Sequence, residues 1–179
     1  MMEFRELVEA RRSVRSYKKG GIDASTIRKI VETAQKAPSW KNSQTWRFYA
    51  ACSDDMVRKI RETLPDFNVS STRNASGYII AAFEKSVSGF DTAKNEPMNE
   101  CGEEWGAYDL GHASMLLLLA ARECGLDTLI MGIRDSKAIR GIMNIPENQE
   151  IMSVIALGYR DAEPVMRPRK ALGEVVKIY

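Results

Sequence analysis

One long apolar helical segment constrains this chain more than any other feature. From Glu103 to Cys124 the pattern reads as a single helix, with Gly125 in the position just past the last turn that glycine commonly fills. Its centre, Ala113 to Ala121, is apolar apart from Ser114. A helix apolar around its circumference must be covered on several faces. The run is also far shorter than the ~20 residues a bilayer span requires. The segment therefore predicts a buried core helix rather than a membrane anchor.

The remaining pattern supplies what surrounds it. Phe4, Leu7 and Val8 recur at helical spacing, which predicts a short helix over 3–12. Gly20-Gly21 breaks the chain, and Asp23 or Ser25 can cap a helix carrying the stripe Ile27, Ile30, Val31, Ala34. Pro38 ends that helix. Trp46–Cys52 reads as a strand. Asp54 is placed to cap a helix with Val57, Ile60 and Leu64, closed by Pro65. Tyr78–Phe83 and Ile151–Gly158 read as strands, Thr128–Met131 as a short one, and Ser136–Met143 as a helix. Residues 85–102 are polar and mixed, with Gly89, Pro97 and Gly102, and predict a loop or mobile flap. The basic tail, 160–179, contains Pro164 and Pro168 and should be extended. With no repeat or linker, this mixture predicts one α+β domain over 1–179.

Charge and cysteine content narrow the setting. The net charge of +2 gives no global polyanion-binding surface, so no nucleic-acid partner is expected. The three cysteines, Cys52, Cys101 and Cys124, are odd in number and lack a Cys-x-x-Cys pair. That speaks against a disulfide framework or a zinc site and for a reducing, cytoplasmic compartment. The opening Met-Met-Glu-Phe-Arg-Glu has early acids and no apolar run, unlike a signal peptide.

Three clusters carry chemistry. Arg11-Arg12-Ser13-Val14-Arg15 sets three guanidinium forks and a hydroxyl at a helix end. Such forks suit phosphate and other oxyanions, but the same run also reads as a solvated basic face or a helix end complementing its dipole. Pro38-Ser39-Trp40-Lys41-Asn42-Ser43-Gln44 joins a helix to a strand, a place where loops carry function, but taken alone it reads first as a polar connector with Asn-Ser turn chemistry. Arg167-Pro168-Arg169-Lys170 splays cations around a fixed proline, or is a frayed basic tail.

Taken together, in this order and spacing, these segments resemble the FMN-dependent nitroreductase family. The resemblance extends through Glu123-Cys124-Gly125-Leu126, Ile130-Met131-Gly132 and Ile155-Ala156-Leu157-Gly158-Tyr159, and so covers nearly the whole chain. It implies an α+β nitroreductase-like fold, with a mixed central sheet flanked by helices, in an intertwined homodimer with FMN at the interface. It implies that Arg11 grips the FMN phosphate, with Arg12 in the same cofactor-binding set. Ser13 would meet the ribityl chain or phosphate, Arg15 the N1/O2 edge of the ring, and Arg167 and Arg169 the phosphate again. Asn68 would meet the pyrimidine edge, while the backbone of Met131 and Gly132 approaches O4 and N5. Pro38, Ser39 and Asn42 match the loop that reaches the partner subunit's flavin. NADH or NADPH would donate the electrons and a small nitroaromatic, quinone or flavin would accept them. Alternatives within the resemblance are a non-catalytic FMN-storage protein and a specialised member such as a reductive dehalogenase. Ser71 stands where larger relatives have a flavin-contacting lysine. His112, the lone histidine, reads as structural.

Overall fold

The computed structural model describes residues 3–179. Seven helices and seven strands follow one another as α1 (Phe4–Ala10), β1 (Tyr17–Lys18), α2 (Ala24–Ala34), a 3-10 turn (Trp40–Asn42), β2 (Trp46–Ala51), α3 (Asp54–Arg61), α4 (Asp66–Ser71), β3 (Gly77–Glu84), β4 (Phe90–Asp91), β5 (Glu96–Pro97), α5 (Glu104–Glu123), β6 (Asp127–Met131), α6 (Ser136–Met143), β7 (Gln149–Arg160) and α7 (Leu172–Val175).

β7 is the spine. It pairs with β3 over most of its length, with β6 from Val154 to Gly158, and with β1 at Tyr159 and Arg160, while β2 lies beyond β3. All these ladders are antiparallel, and the one parallel pairing among the described residues is the isolated bridge Ser13↔Thr128. The expected mixed sheet is thus corrected: within one chain its strands alternate in direction. An extra residue in β7 sits between the pairings of Ala81 and Ala82, and Met152 turns outward there. Such bulges bend a strand and re-aim its side chains.

The central strand β3 is buried on both faces, which is why it reads as a continuous apolar run. Ile79, Ala81 and Phe83 face one core, shared with α2, α5, Ile155 and Leu157. Tyr78, Ile80 and Ala82 face a second core with α3, α6, Met131 and Val154. Ile79 and Ile80 lose all contact with water, each worth about 1.5–3 kcal/mol of burial.

Several local readings are refined. Ser53, not Asp54, caps α3 through Met56 N–H, at 3.4 Å. Pro65 follows α3 but also opens α4, a helix the pattern did not announce. α5 is covered on all sides only from Leu117 to Ala121; earlier, Glu104, Tyr108, Gly111 and Met115 form an exposed stripe. The 85–102 segment is not a plain loop. It contains the β4–β5 hairpin and is tied to α5, because the Ser86 N–H and hydroxyl both donate to the Glu103 carboxylate at 2.9 Å. The tail is mostly extended but contains the one-turn α7.

Candidate functional site: an arginine clamp at the end of the sheet

The opening motif is held by its apolar members. α1 stops as Arg11 turns extended, with its N–H still donating to Leu7 O at 3.1 Å. Val14 N–H then donates to Thr128 O at 3.0 Å, which seats Ser13 against β6. Val14 and Tyr17 are buried, and the Tyr17 hydroxyl donates to Val14 O at 2.9 Å. Pinning these two side chains inward leaves Arg15 and Ser13 exposed and Arg11 and Arg12 half-buried. Arg12 and Arg15 donate to the backbone carbonyls of Arg11 and Ser13.

The tail returns to this point. Asp161 N–H donates to Ser16 O at 3.0 Å. Beyond it, residues 162–165 and Arg167 form one wall of a groove of about 240 Å³ whose other wall is Ser13, Val14, Arg15 and Ser16. Arg169 comes close enough to act on Arg11. Burial, then the charges of Arg12 and Arg169, hold the Arg11 guanidinium below its ordinary pKa. The Arg11 Nε is buried without a partner. Among the described residues, none of Arg11, Arg12, Arg15, Arg167 and Arg169 makes a salt bridge. Cations from opposite ends of the chain thus lie on either side of Ser13: half-buried Arg11 with Arg12 and Arg169, and Arg15 with Arg167 across the groove. Forked guanidinium donors of this kind suit a doubly charged phosphate.

A second group lies along the same strand. From the Ser13 bridge at Thr128, β6 runs three residues to Met131, about 10 Å at strand rise. Met131 is buried, so only its backbone is offered there. Gly132 is exposed, and a Cβ on it would meet nothing within 4 Å, so the chain's own packing does not demand glycine. Asn68, buried in α4, donates to Ile133 O at 3.3 Å and so stands beside this segment.

Among the described residues, the Pro38–Asn42 loop joins neither group through a hydrogen bond. It is fastened to α5 instead. Asp109, buried in that helix, accepts from Trp40 N–H at 3.0 Å and from the Ser88 hydroxyl at 2.6 Å. Trp40 stacks obliquely on Trp105 at 4.6 Å, and Tyr108 and His112 continue the aromatic row. Ser39 Oγ accepts from Gln44 N–H at 3.0 Å. Lys41, Asn42 and Gln44 all hold φ near +50°, a left-handed conformation uncommon for side-chain-bearing residues. Cys101, Glu104, Trp105 and Tyr108 line a cavity of about 180 Å³ beside this loop's anchor. Sequence reasoning missed Trp105, Tyr108 and Asp109. The i, i+3 and i+7 spacing of Trp105, Tyr108 and His112, and an acid within a buried helix, are the available signals.

The fold is an α+β sheet protein whose opening motif and C-terminal tail bring several arginines together beside β6. Residues 8–159 match the sequence model of the Nitroreductase family, and the chain belongs to that family. It is 30% identical to a protein of Archaeoglobus fulgidus provisionally named NADH dehydrogenase/NAD(P)H nitroreductase, over 89% of this chain and 86% of that one. It is 25% identical to an iodotyrosine deiodinase of Haliscomenobacter hydrossis, over 99% of this chain and 89% of the other. Its fold matches that of a provisionally named nitroreductase from Exiguobacterium sibiricum, solved in complex with FMN. There the TM-score is 0.88 at 20% identity, covering 100% of this chain and 98% of that one.

Proposed function

We propose that this chain is an FMN-dependent oxidoreductase that moves two electrons from NADH or NADPH to a small acceptor such as a nitroaromatic, a quinone or a flavin. The observation that carries the reading is the set of arginines without salt bridges on either side of Ser13, Arg11 with Arg12 and Arg169 and Arg15 with Arg167, together with the buried, unpartnered Arg11 Nε. The names of the Archaeoglobus relative and of the FMN-bound structure support it.

In this reading the clamp binds the phosphate dianion. Ser13 faces the ribityl chain, and the roughly 10 Å of β6 to Met131 and Gly132 carries the site to the ring. Bound FMN supplies a ring that takes up a hydride at N5 and hands the pair on. Asn68 orients the pyrimidine edge. The open backbone at Gly132 lets the ring lie close. Arg15 sets a positive charge at the N1/O2 edge, favouring the electron-rich form. No acid or base is needed at N5; orientation of donor and acceptor in turn over the same face is what the protein contributes.

We further propose a homodimer with shared sites. α1 buries none of its residues, Phe4 is 71% exposed, and the tail leaves Leu172, Val175, Ile178 and Tyr179 in water. A second copy would cover these surfaces and receive the Pro38, Ser39 and Asn42 loop against its flavin. Truncation after Ala162 should then cost both dimerisation and FMN. A reducing cytoplasm is the proposed setting, in keeping with three free cysteines. No described helix is long and apolar enough to cross a membrane.

The test is anaerobic reduction of the FMN-loaded chain by each nicotinamide, followed by a panel of acceptors. Flavin bleaching and turnover support the reading. A chain that binds no FMN refutes it, and one that binds FMN but resists both nicotinamides is a storage protein instead. The deiodinase likeness favours one second reading, reductive dehalogenation of an aromatic substrate, so an iodinated phenol belongs in the panel with halide release as its readout.

A further inference from the structure

Asp127 opens β6, and its side chain is only 1% exposed. A carboxylate that deep is costly unless its lone pairs are filled. Here they are. Arg160, ending β7, grips both oxygens, with Nε to Oδ2 at 2.8 Å and Nη2 to Oδ1 at 2.6 Å. Arg122, from the last turn of α5, donates Nη1 to the same two oxygens at 3.1 and 3.0 Å.

What else Arg160 touches gives the cluster its meaning. Its Nη2 also donates to the carbonyl of Ala10 at 3.1 Å, the residue directly before Arg11. Its Nη1 pairs with Glu163 at 2.7 Å, at the start of the stretch that carries Arg167 and Arg169. The residue after Asp127, Thr128, is the one that bridges Ser13. One guanidinium thus reaches the N-terminal arm of the clamp, its C-terminal arm and the strand between them. β6 and β7 are already joined by their own ladder from Asp127↔Gly158 to Met131↔Val154, so the ion pair is not needed to hold those strands together. Asp127 also acts on the neighbouring Tyr17, whose phenol burial and this carboxylate together push up. A buried pair of this kind adds little net stability over an apolar replacement, so what it supplies is geometry.

We infer that Asp127 and Arg160 are positioning residues that hold the two arms of the arginine clamp in register, and that they set the preference for phosphorylated over unphosphorylated flavin. The inference rests on the FMN reading above. In this inference both act indirectly: Arg160 through the Ala10 carbonyl and Glu163, and Asp127 through Arg160 and the adjoining Thr128.

The experiment titrates the wild-type chain, Asp127→Asn and Arg160→Lys with FMN and, separately, with riboflavin, which has the same ring but no phosphate. Flavin fluorescence reports binding, and melting without ligand checks that each variant folds. Arg160→Lys keeps a cation beside Asp127 but lacks the fork needed to reach Asp127, Ala10 and Glu163 together. It decides the matter if Asp127→Asn does not fold. Loosening the clamp should raise the FMN Kd about tenfold to 150-fold, the equivalent of one charge-assisted hydrogen bond lost. The riboflavin Kd should stay at the wild-type value. Folded variants that keep the wild-type FMN-to-riboflavin preference overturn the inference, as does an equal loss for both ligands, which marks a purely structural pair. A wild-type chain that binds neither flavin overturns the FMN reading, and this inference with it.

Discussion

Replacing Arg11 by Met should move two measurements in opposite directions. In the chain without ligand, Arg11 buries Nε with no acceptor and lies beside Arg12 and Arg169. An unsatisfied buried donor costs about 1–3 kcal/mol. Methionine is similarly long and flexible, so it keeps the packing while removing the donor and the repulsion. Because Arg11 is only half-buried, solvent screens the like-charge term, and a gain near the low end, about 1 kcal/mol, is expected. For a chain of 179 residues that raises the ligand-free Tm by about 2–4 °C. With FMN the sign reverses. Losing a hydrogen bond to a charged group costs about 1.5–3 kcal/mol, so the FMN Kd should rise roughly tenfold to 150-fold. Melting curves without ligand and a fluorescence titration with FMN read the two effects on one sample. A fall in the ligand-free Tm, or an unchanged FMN Kd, refutes the assignment of Arg11 as a cation held in place for an anion.

Arg15→Gln should lower the midpoint potential of bound FMN by on the order of 30 mV, the two-electron equivalent of about 1.4 kcal/mol, and slow hydride uptake more than it weakens binding. Dye equilibration measures it, and an unchanged potential defeats the N1-edge role. Gly106→Ala should destabilise the chain, because a Cβ there overlaps the buried Phe83 ring. Overpacking costs about 1–3 kcal/mol against about 1 kcal/mol of helix propensity gained, a net loss of up to about 2 kcal/mol in denaturant titration. Asp23 caps α2; the Ser25 hydroxyl, then Thr26 N–H, hold its pKa at about 2 against an ordinary 3.8. A depressed carboxylate contributes stability that is complete above its unfolded pKa and lost as pH falls through the folded one. Asp23→Asn should therefore flatten the dependence of Tm on pH between roughly 4 and 2, and an unaltered acid limb argues against the cap's contribution.

The helices and central strands were legible because each announces itself within a few residues. The stripe Ile27, Ile30, Val31, Ala34 and the apolar run of β3 report which side chains share a face. Boundaries were less so. Proline is tolerated both just after one helix and at the start of the next, so Pro65 closing α3 hid its part in opening α4. The two-residue strands of the β4–β5 hairpin are too short to show alternation. At the site, the residue types of Arg11, Ser13, Arg15, Arg167 and Arg169 suggest an anion, but taken alone the opening run reads first as a solvated basic face and the tail run also as a frayed basic end.

By itself the sequence determined the local periods, the caps and the chemistry each cluster could offer, since propensity and amphipathic pattern act over one or two turns. Only the tertiary structure decided that the strands run antiparallel and that the tail folds back onto the opening motif. It also decided that Asp127 is buried rather than a surface acid. The partner that makes its burial tolerable is Arg160, 33 residues further on. Such approaches depend on the summed packing of two cores on either face of β3, a free energy spread over the whole chain that no short window of residues carries.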